Sequence, residues 1–280
     1  MRQWLEVKAV LDRAPEDWAA LHDAFDTFGM PGTVQTDTPP TLSAYAPNGG
    51  EGLDLDALQV RLVALGAREV ELRLVPEEDW SQAWKQFFKP RKIGERFLVR
   101  PTWEEAPKDS AEFEIVLDPG QAFGTGDHPT TQLVLRLLER TELRGRRVLD
   151  LGCGTGILAI AAKMLGASVV VAVDLDPESV RATRENAERN GVEIVALVGD
   201  LLAGLEEHGP FDLAISNIIS ATIIRLTPQL PKVLTSPGLW ILSGVHRDNW
   251  PDVREHAERH GFAVRTYLED SDWIAALLHR

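Results

Sequence analysis

The stretch Asp150-Leu151-Gly152-Cys153-Gly154-Thr155-Gly156 follows the strand-like run Arg147–Leu149 and leads into the helical run Ile157–Ala162. A glycine-rich turn therefore joins a strand to a helix. Glycines at 152, 154 and 156 let the backbone turn sharply and keep Cβ atoms from standing between chain and ligand. The free amides at the start of the following helix favour a negative group. About twenty residues on, Ser168–Asp174 reads as the next strand, and Asp174 ends it where a carboxylate can accept bonds from both hydroxyls of a ribose. Together the two features specify a nucleoside-containing ligand rather than a pair of unrelated turns.

The same rhythm extends on both sides. From about residue 112, FEIVL, RRVLDLG, SVVVAVDLD, EIVALVGD, FDLAISN and LWILSGV read as strands. Helical stretches such as TTQLVLRLLERT, GILAIAAKMLGA and PESVRATRENAERNGV separate the earlier of them. Nearly unbroken apolar strands belong to a parallel sheet covered on both faces. The end, AVRTYLEDSDWIAALLHR, suits an antiparallel pair. The expected fold is a doubly wound α/β sheet over residues 110–280, with ligands in a crevice beyond the carboxyl ends of its strands.

Residues 1–75 read differently. The order strand (QWLEVKAV), helix (Trp18, Leu21, Phe25), two weak strands, helix (Leu58, Leu62, Leu65) and strand (EVELRLV) is βαββαβ. That order predicts a small ferredoxin-like α+β domain. Residues 76–109 form a bridge, with Trp80, Trp84, Phe87 and Phe88 along a predicted helix and RFLVRPTW as a strand. Tryptophans one helical turn apart are read as packing rather than as a ligand cage.

Composition narrows the class. The net charge is −14, which repels phosphate backbones and suits a basic partner, so no direct contact with nucleic acid is expected. The single cysteine, Cys153, cannot form an internal disulfide and fits a reducing, cytoplasmic setting. Neither a membrane-spanning run nor a signal peptide is expected from the apolar patterning, and the chain is expected to be monomeric.

Which nucleoside ligand is a finer question. Gly154–Ala159 also satisfies G-x-G-x-x-A, so an NAD-linked oxidoreductase competes. Three features favour S-adenosylmethionine. Asp150, ahead of the loop, favours a cationic amino group over a pyrophosphate. Asp200, at the end of the third strand, can accept a bond from an adenine amine. Ser216-Asn217-Ile218-Ile219 puts hydrogen-bond acceptors where transfer chemistry needs them. For an amine acceptor, the Asn217 side-chain carbonyl and the Ile218 backbone carbonyl are the candidate catalytic groups, because they can hold amine hydrogens and aim the lone pair. Cys153 is read as small-residue packing and His128 as a loop brace. The remaining histidines form no convincing metal-ligand set, so no metal is expected.

The run Asp118–Thr131, DPGQAFGTGDHPTT, is the most distinctive. With DLGCGTGILAIAA, VDLDP, ENAERNG and SNII in this order and spacing, it resembles the PrmA family, the ribosomal protein L11 methyltransferases. The likeness is strong over residues 77–245 and weak before about 70. It implies a class I, Rossmann-like methyltransferase domain behind an N-terminal substrate-recognition domain on a flexible linker. It also implies S-adenosylmethionine as donor, and ribosomal protein L11 as substrate, trimethylated on its N-terminal α-amine and on particular lysines. Carried over residue by residue, the implied cofactor contacts are Thr131, Gly152, Asp174 and Asn217. Phe123, Gly124, Thr125, Asp150, Gly154 and Asp200 complete the expected cofactor set, with the first loop folding over the second. After Asn217 this chain reads IISATII where many relatives carry a small glycine- and proline-containing turn.

Overall fold

Short apolar runs bounded by glycine or by capping residues set the elements. The computed structural model describes residues 3–15, 18–30, 33–37, 39–76, 88–106, 110–118, 124–205 and 207–280. It divides into two units, Met1–Phe88 and Lys89–Arg280.

In the first unit the elements are β1 (Gln3–Val10), α1 (Ala19–Thr27), β2 (Thr33–Asp37), β3 (Pro40–Ala46), α2 (Leu55–Ala64) and β4 (Glu69–Pro76). Their sheet order is β2-β3-β1-β4, every neighbouring pair antiparallel, as the βαββαβ reading requires. Leu5, Val7 and Ala9 alternate onto one face of β1 and meet Phe25, Leu58 and Leu62 in a buried core. Asp54 caps α2 by accepting from the Ala57 amide at 3.0 Å. The predicted helix carrying Trp80, Trp84 and Phe87 lies outside the described residues.

In the second unit, β5 (Arg91–Ile93), β6 (Phe97–Pro101) and β7 (Phe113–Leu117) form a sheet of their own. FEIVL was expected to open the doubly wound sheet; it instead pairs parallel with β6, from Phe97↔Phe113 to Pro101↔Leu117. Cross-strand pairs account for this. Arg100 donates to Glu114 at 2.5 Å, Arg96 donates to Glu112 at 2.7 Å, and the rings of Phe97 and Phe113 lie 5.7 Å apart. A five-residue apolar strand does not encode which sheet it joins.

The large sheet contains β8 (Arg147–Leu151), β9 (Val169–Asp174), β10 (Val195–Val198), β11 (Phe211–Asn217), β12 (Leu234–His246), β13 (Ala263–Asp270) and β14 (Trp273–His279). Between them lie α3 (Pro129–Leu138, ahead of β8), α4 (Ile157–Met164), α5 (Pro177–Arg189), α6 (Ser220–Leu226) and α7 (Trp250–Arg259). The strand order is β10-β9-β8-β11-β12-β14-β13. The first five are parallel, and β14 runs antiparallel to both β12 and β13. Strand alternation sorts side chains into two cores. Val148, Leu213, Ile215 and Ile241 pack with Leu133, Ile157 and Ala161 on one face; Leu149, Val171, Ala214 and Trp240 pack with Ile223, Val253 and Phe262 on the other. Because β8 to β12 point the same way, their carboxyl ends form one rim, and β14, running back, begins at that rim.

Candidate active site

A cavity of about 550 Å³ opens along this rim. Strand order arranges its lining in sequence: Asp174 ends β9, Gly152 and Gly154 follow β8, and Asn217 ends β11. Gly244, near the end of β12, and Trp273, at the start of β14, come last.

The glycine loop is pinned from β9. Gly152 and Cys153 donate their amides to the Val173 carbonyl at 2.8 and 3.1 Å. Asp174 Oδ2 accepts from the Gly154 amide at 2.9 Å, and Oδ1 from the Asp176 amide at 3.0 Å. The carboxylate is held in one orientation, and each oxygen keeps a lone pair for a further donor. Behind the loop, Thr183 donates to the Gly154 carbonyl and Asn186 Nδ2 to that of Thr155, at 3.0 and 2.9 Å. Cys153 is buried under Thr183, and burial pushes its thiol up, away from the thiolate range. That environment suits packing, not a nucleophile.

Ile218 passes between two glycines. A Cβ on Gly152 (φ 75°) would stand 2.5 Å from Ile218 Cγ2, and one on Gly244 (φ 81°) 2.4 Å from the Ile218 carbonyl oxygen. The first clash is with a side-chain tip, the second with backbone, so Gly244 is the less replaceable. Gly244→Ala is expected to lower activity by about tenfold or more by displacing Ile218. Steady-state kinetics check it, with Gly261→Ala, where a Cβ meets open space, as the control for positive φ.

The two loops meet. Thr155 Oγ1 donates to the Gly124 carbonyl at 2.6 Å. Gly124 is thus tied to the glycine loop, while Thr125 donates to Asp127, and among the described residues neither lines the cavity. Phe123 lies outside the described residues. His128 caps α3: its Nδ1 accepts from the Thr130 amide and hydroxyl, which leaves the neutral ring's proton on Nε2. Burial lowers the His128 pKa from its ordinary value. Thr131, next along α3, is fully buried, and its Oγ1 accepts from Asn217 Nδ2 at 3.3 Å. It is Thr130 that faces the cavity. Successive helical residues point about 100° apart, and the Thr131 hydroxyl is turned to Asn217.

Two of the expected carboxylates are placed elsewhere. Asp150 shares the face of β8 with Val148 and is fully buried under α4, where its Oδ2 accepts from the Ala159 amide at 3.1 Å. Its Oδ1 has no hydrogen-bond partner, and desolvation pushes its pKa up to about 7. Asp200 stands two residues beyond β10, exposed and ion-paired with Arg225 of α6 at 3.0 Å, beside a separate cavity of about 280 Å³.

Asp150 carries a pH signature. An aspartyl group whose folded pKa lies above its unfolded value binds its proton more tightly when folded, so its contribution to stability falls as pH rises between the two values. Asp150→Asn is therefore expected to gain thermal stability relative to the parent between about pH 4 and pH 8. Paired melting curves across that range test it; a constant difference would mean the group is charged throughout.

Trp273, Gly244, Ser179 and Thr222 were not singled out by sequence. The tryptophan after EDSD was visible only as the start of a last strand, and no local pattern ties it to Asn217. Among the described residues no cluster of metal-binding side chains occurs, and no described helix is long and apolar enough to cross a membrane.

A seven-stranded sheet in this order, with its one reversed strand and a crevice running from a glycine loop to a strand-end asparagine, defines a class I, Rossmann-like methyltransferase. Residues 13–280 match the family model described as ribosomal protein L11 methyltransferase (PrmA), and the chain belongs to that family. It is 39% identical over 260 residues to the ribosomal protein L11 methyltransferase of Desulforamulus reducens, covering 90% of this chain and 83% of that protein. To that of Caldanaerobacter subterraneus subsp. tengcongensis it is 42% identical over 219 residues, covering 78% and 70%. The crystal structure of a ribosomal protein L11 methylase from Lactobacillus delbrueckii subsp. bulgaricus matches with a TM-score of 0.65 at 35% identity, over 69% of this chain and 99% of that one.

Proposed function

We propose that this chain transfers methyl groups from S-adenosylmethionine to lysine side-chain and N-terminal amines of ribosomal protein L11. In this reading residues 1–75 hold the substrate and the stretch 76–109 lets the second unit reach separated amines. The observation that carries the proposal is the order along the rim: a fixed carboxylate, an open glycine loop, then an asparagine held by Thr131.

The crevice suits the donor. Asp174 retains acceptor capacity for ribose hydroxyls, and a Cβ at Gly152 would intrude on the space beside Ile218. When bound, S-adenosylmethionine would supply an electrophilic methyl to the acceptor nitrogen's lone pair, and a nitrogen still bearing a proton would release it to water before the next transfer. The chain's own task is to present an uncharged amine. An exposed lysine has a pKa near ~10.4, and a dry pocket favours its neutral form. Ile218 and Ile219 give this part of the cavity apolar walls. Asn217 donates through Nδ2 to Thr131, which leaves Oδ1 to accept an amine hydrogen, and the Ile218 carbonyl is the second acceptor. Thr131 acts through Asn217; Gly124 braces the glycine loop through Thr155.

The test is mass spectrometry of purified ribosomal protein L11 before and after incubation with enzyme and S-adenosylmethionine, with total RNA as the competing acceptor. Methyl added to amines of the protein supports the reading. Label found only in RNA, or in neither, overturns it.

A further inference from the structure

Trp273 lines the cavity beyond Asn217, at the opposite end from Asp174. Two imidazoles meet its indole at steep angles. His128 lies 5.1 Å away at 68°, and His246 lies 5.8 Å away at 86°. Both are anchored: His128 caps α3 through Nδ1, and His246 is the register partner of Trp273 across β12 and β14. Such edge-to-face contacts hold the indole in place. Among the described lining residues Asp174 is the one carboxylate, and it stands at the far end.

An acceptor nitrogen changes character as methyl groups accumulate. Each transfer replaces an N–H by a methyl, so the amine loses the donors that Asn217 Oδ1 and the Ile218 carbonyl recognise. As each transfer proceeds that nitrogen becomes a bulky, weakly hydrated cation, and the protein surface that attracts such a cation without hydrogen bonds is an aromatic face, indole best of all. We infer that Trp273 is the acceptor-side wall of the crevice, its indole stabilising the positive charge that builds on an already methylated nitrogen as its uncharged lone pair takes the next methyl, and so sustaining the second and third transfers. This rests on the methyltransferase reading above. His128, drawn toward its neutral form by burial, adds no competing charge there.

The test separates the wall from the identity of the protein substrate. Full-length protein saturated with S-adenosylhomocysteine is titrated with choline and with its uncharged tert-butyl isostere. The parent protein is expected to prefer the cation by roughly fivefold, Trp273→Phe to keep most of that preference, and Trp273→Leu to lose it. In parallel, Trp273→Leu is expected to shift methylated L11 from tri- toward monomethyl, with S-adenosylhomocysteine affinity unchanged. Melting curves confirm that each variant is folded. Equal binding of the two probes by the parent, or a preference that survives in Trp273→Leu, overturns the assignment. A cation preference with no methyl transferred to L11 supports the role of Trp273 and overturns only the substrate reading.

Discussion

Asn217→Ala is expected to slow methyl transfer about a hundredfold at saturating substrates, while affinity for S-adenosylhomocysteine changes by no more than about threefold. The asymmetry follows from its place on the rim. Asn217 ends β11, between the glycine loop and Trp273, and the Asp174 carboxylate lies two strands away. In the proposed mechanism, removing the amide deletes an acceptor for the incoming amine without touching Asp174. Thr131→Val should give a smaller loss of the same kind. Without the hydroxyl that receives Nδ2 at 3.3 Å, the amide is free to rotate and present either end to the amine. Single-turnover kinetics with calorimetric binding separate the two effects. Full turnover in Asn217→Ala, or a matching loss of cofactor affinity, would remove the role given to this side chain.

The second large effect is on binding. Asp174→Ala is expected to weaken S-adenosylhomocysteine binding by about ten- to a hundredfold, since a hydrogen bond to a charged group contributes roughly 1.5–3 kcal/mol. Some of that loss is indirect, because the same carboxylate holds the amides of Gly154 and Asp176. Asp174→Asn, which keeps one acceptor oxygen, should fall between parent and Ala. Asp200→Ala is the informative contrast. That carboxylate is exposed and paired with Arg225, so its loss should leave affinity near the parental value. Affinity that survives Asp174→Ala, or that collapses equally in Asp200→Ala, would contradict this placement of the nucleoside.

Much of the architecture was legible. The βαββαβ order of residues 3–76 and the strand–helix alternation after Arg147 are local patterns, carried by period-two and helical apolar spacing and by punctuating glycines. The turn from Asp150 to Gly156 and the strand ending at Asp174 were readable as elements because glycine spacing and apolar runs are local patterns. FEIVL was read correctly as a strand and assigned to the wrong sheet, because pairing with Phe97–Pro101 depends on Arg96–Glu112 and Arg100–Glu114 meeting across strands.

Side-chain direction was less legible. Asp150 looked like a cofactor ligand from its position ahead of the glycines, yet strand alternation turns it under α4 to the Ala159 amide. Asp200 looked like an adenine contact from its strand end, yet Arg225, 25 residues later, is within reach of its carboxylate. In both cases the competing partner comes from another element.

By itself the sequence determined the class of elements, their order, and the glycine loop with its following carboxylate, since backbone freedom and hydrophobic periodicity act over one turn or one strand. Tertiary structure alone decided which groups share the crevice. Thr131 meets Asn217 across 86 residues of chain, and Trp273 reaches the rim only because β14 runs back against β12. The physical reason is that strand order and direction are set by burial of two whole sheet faces, a cooperative quantity that no single stretch of sequence contains.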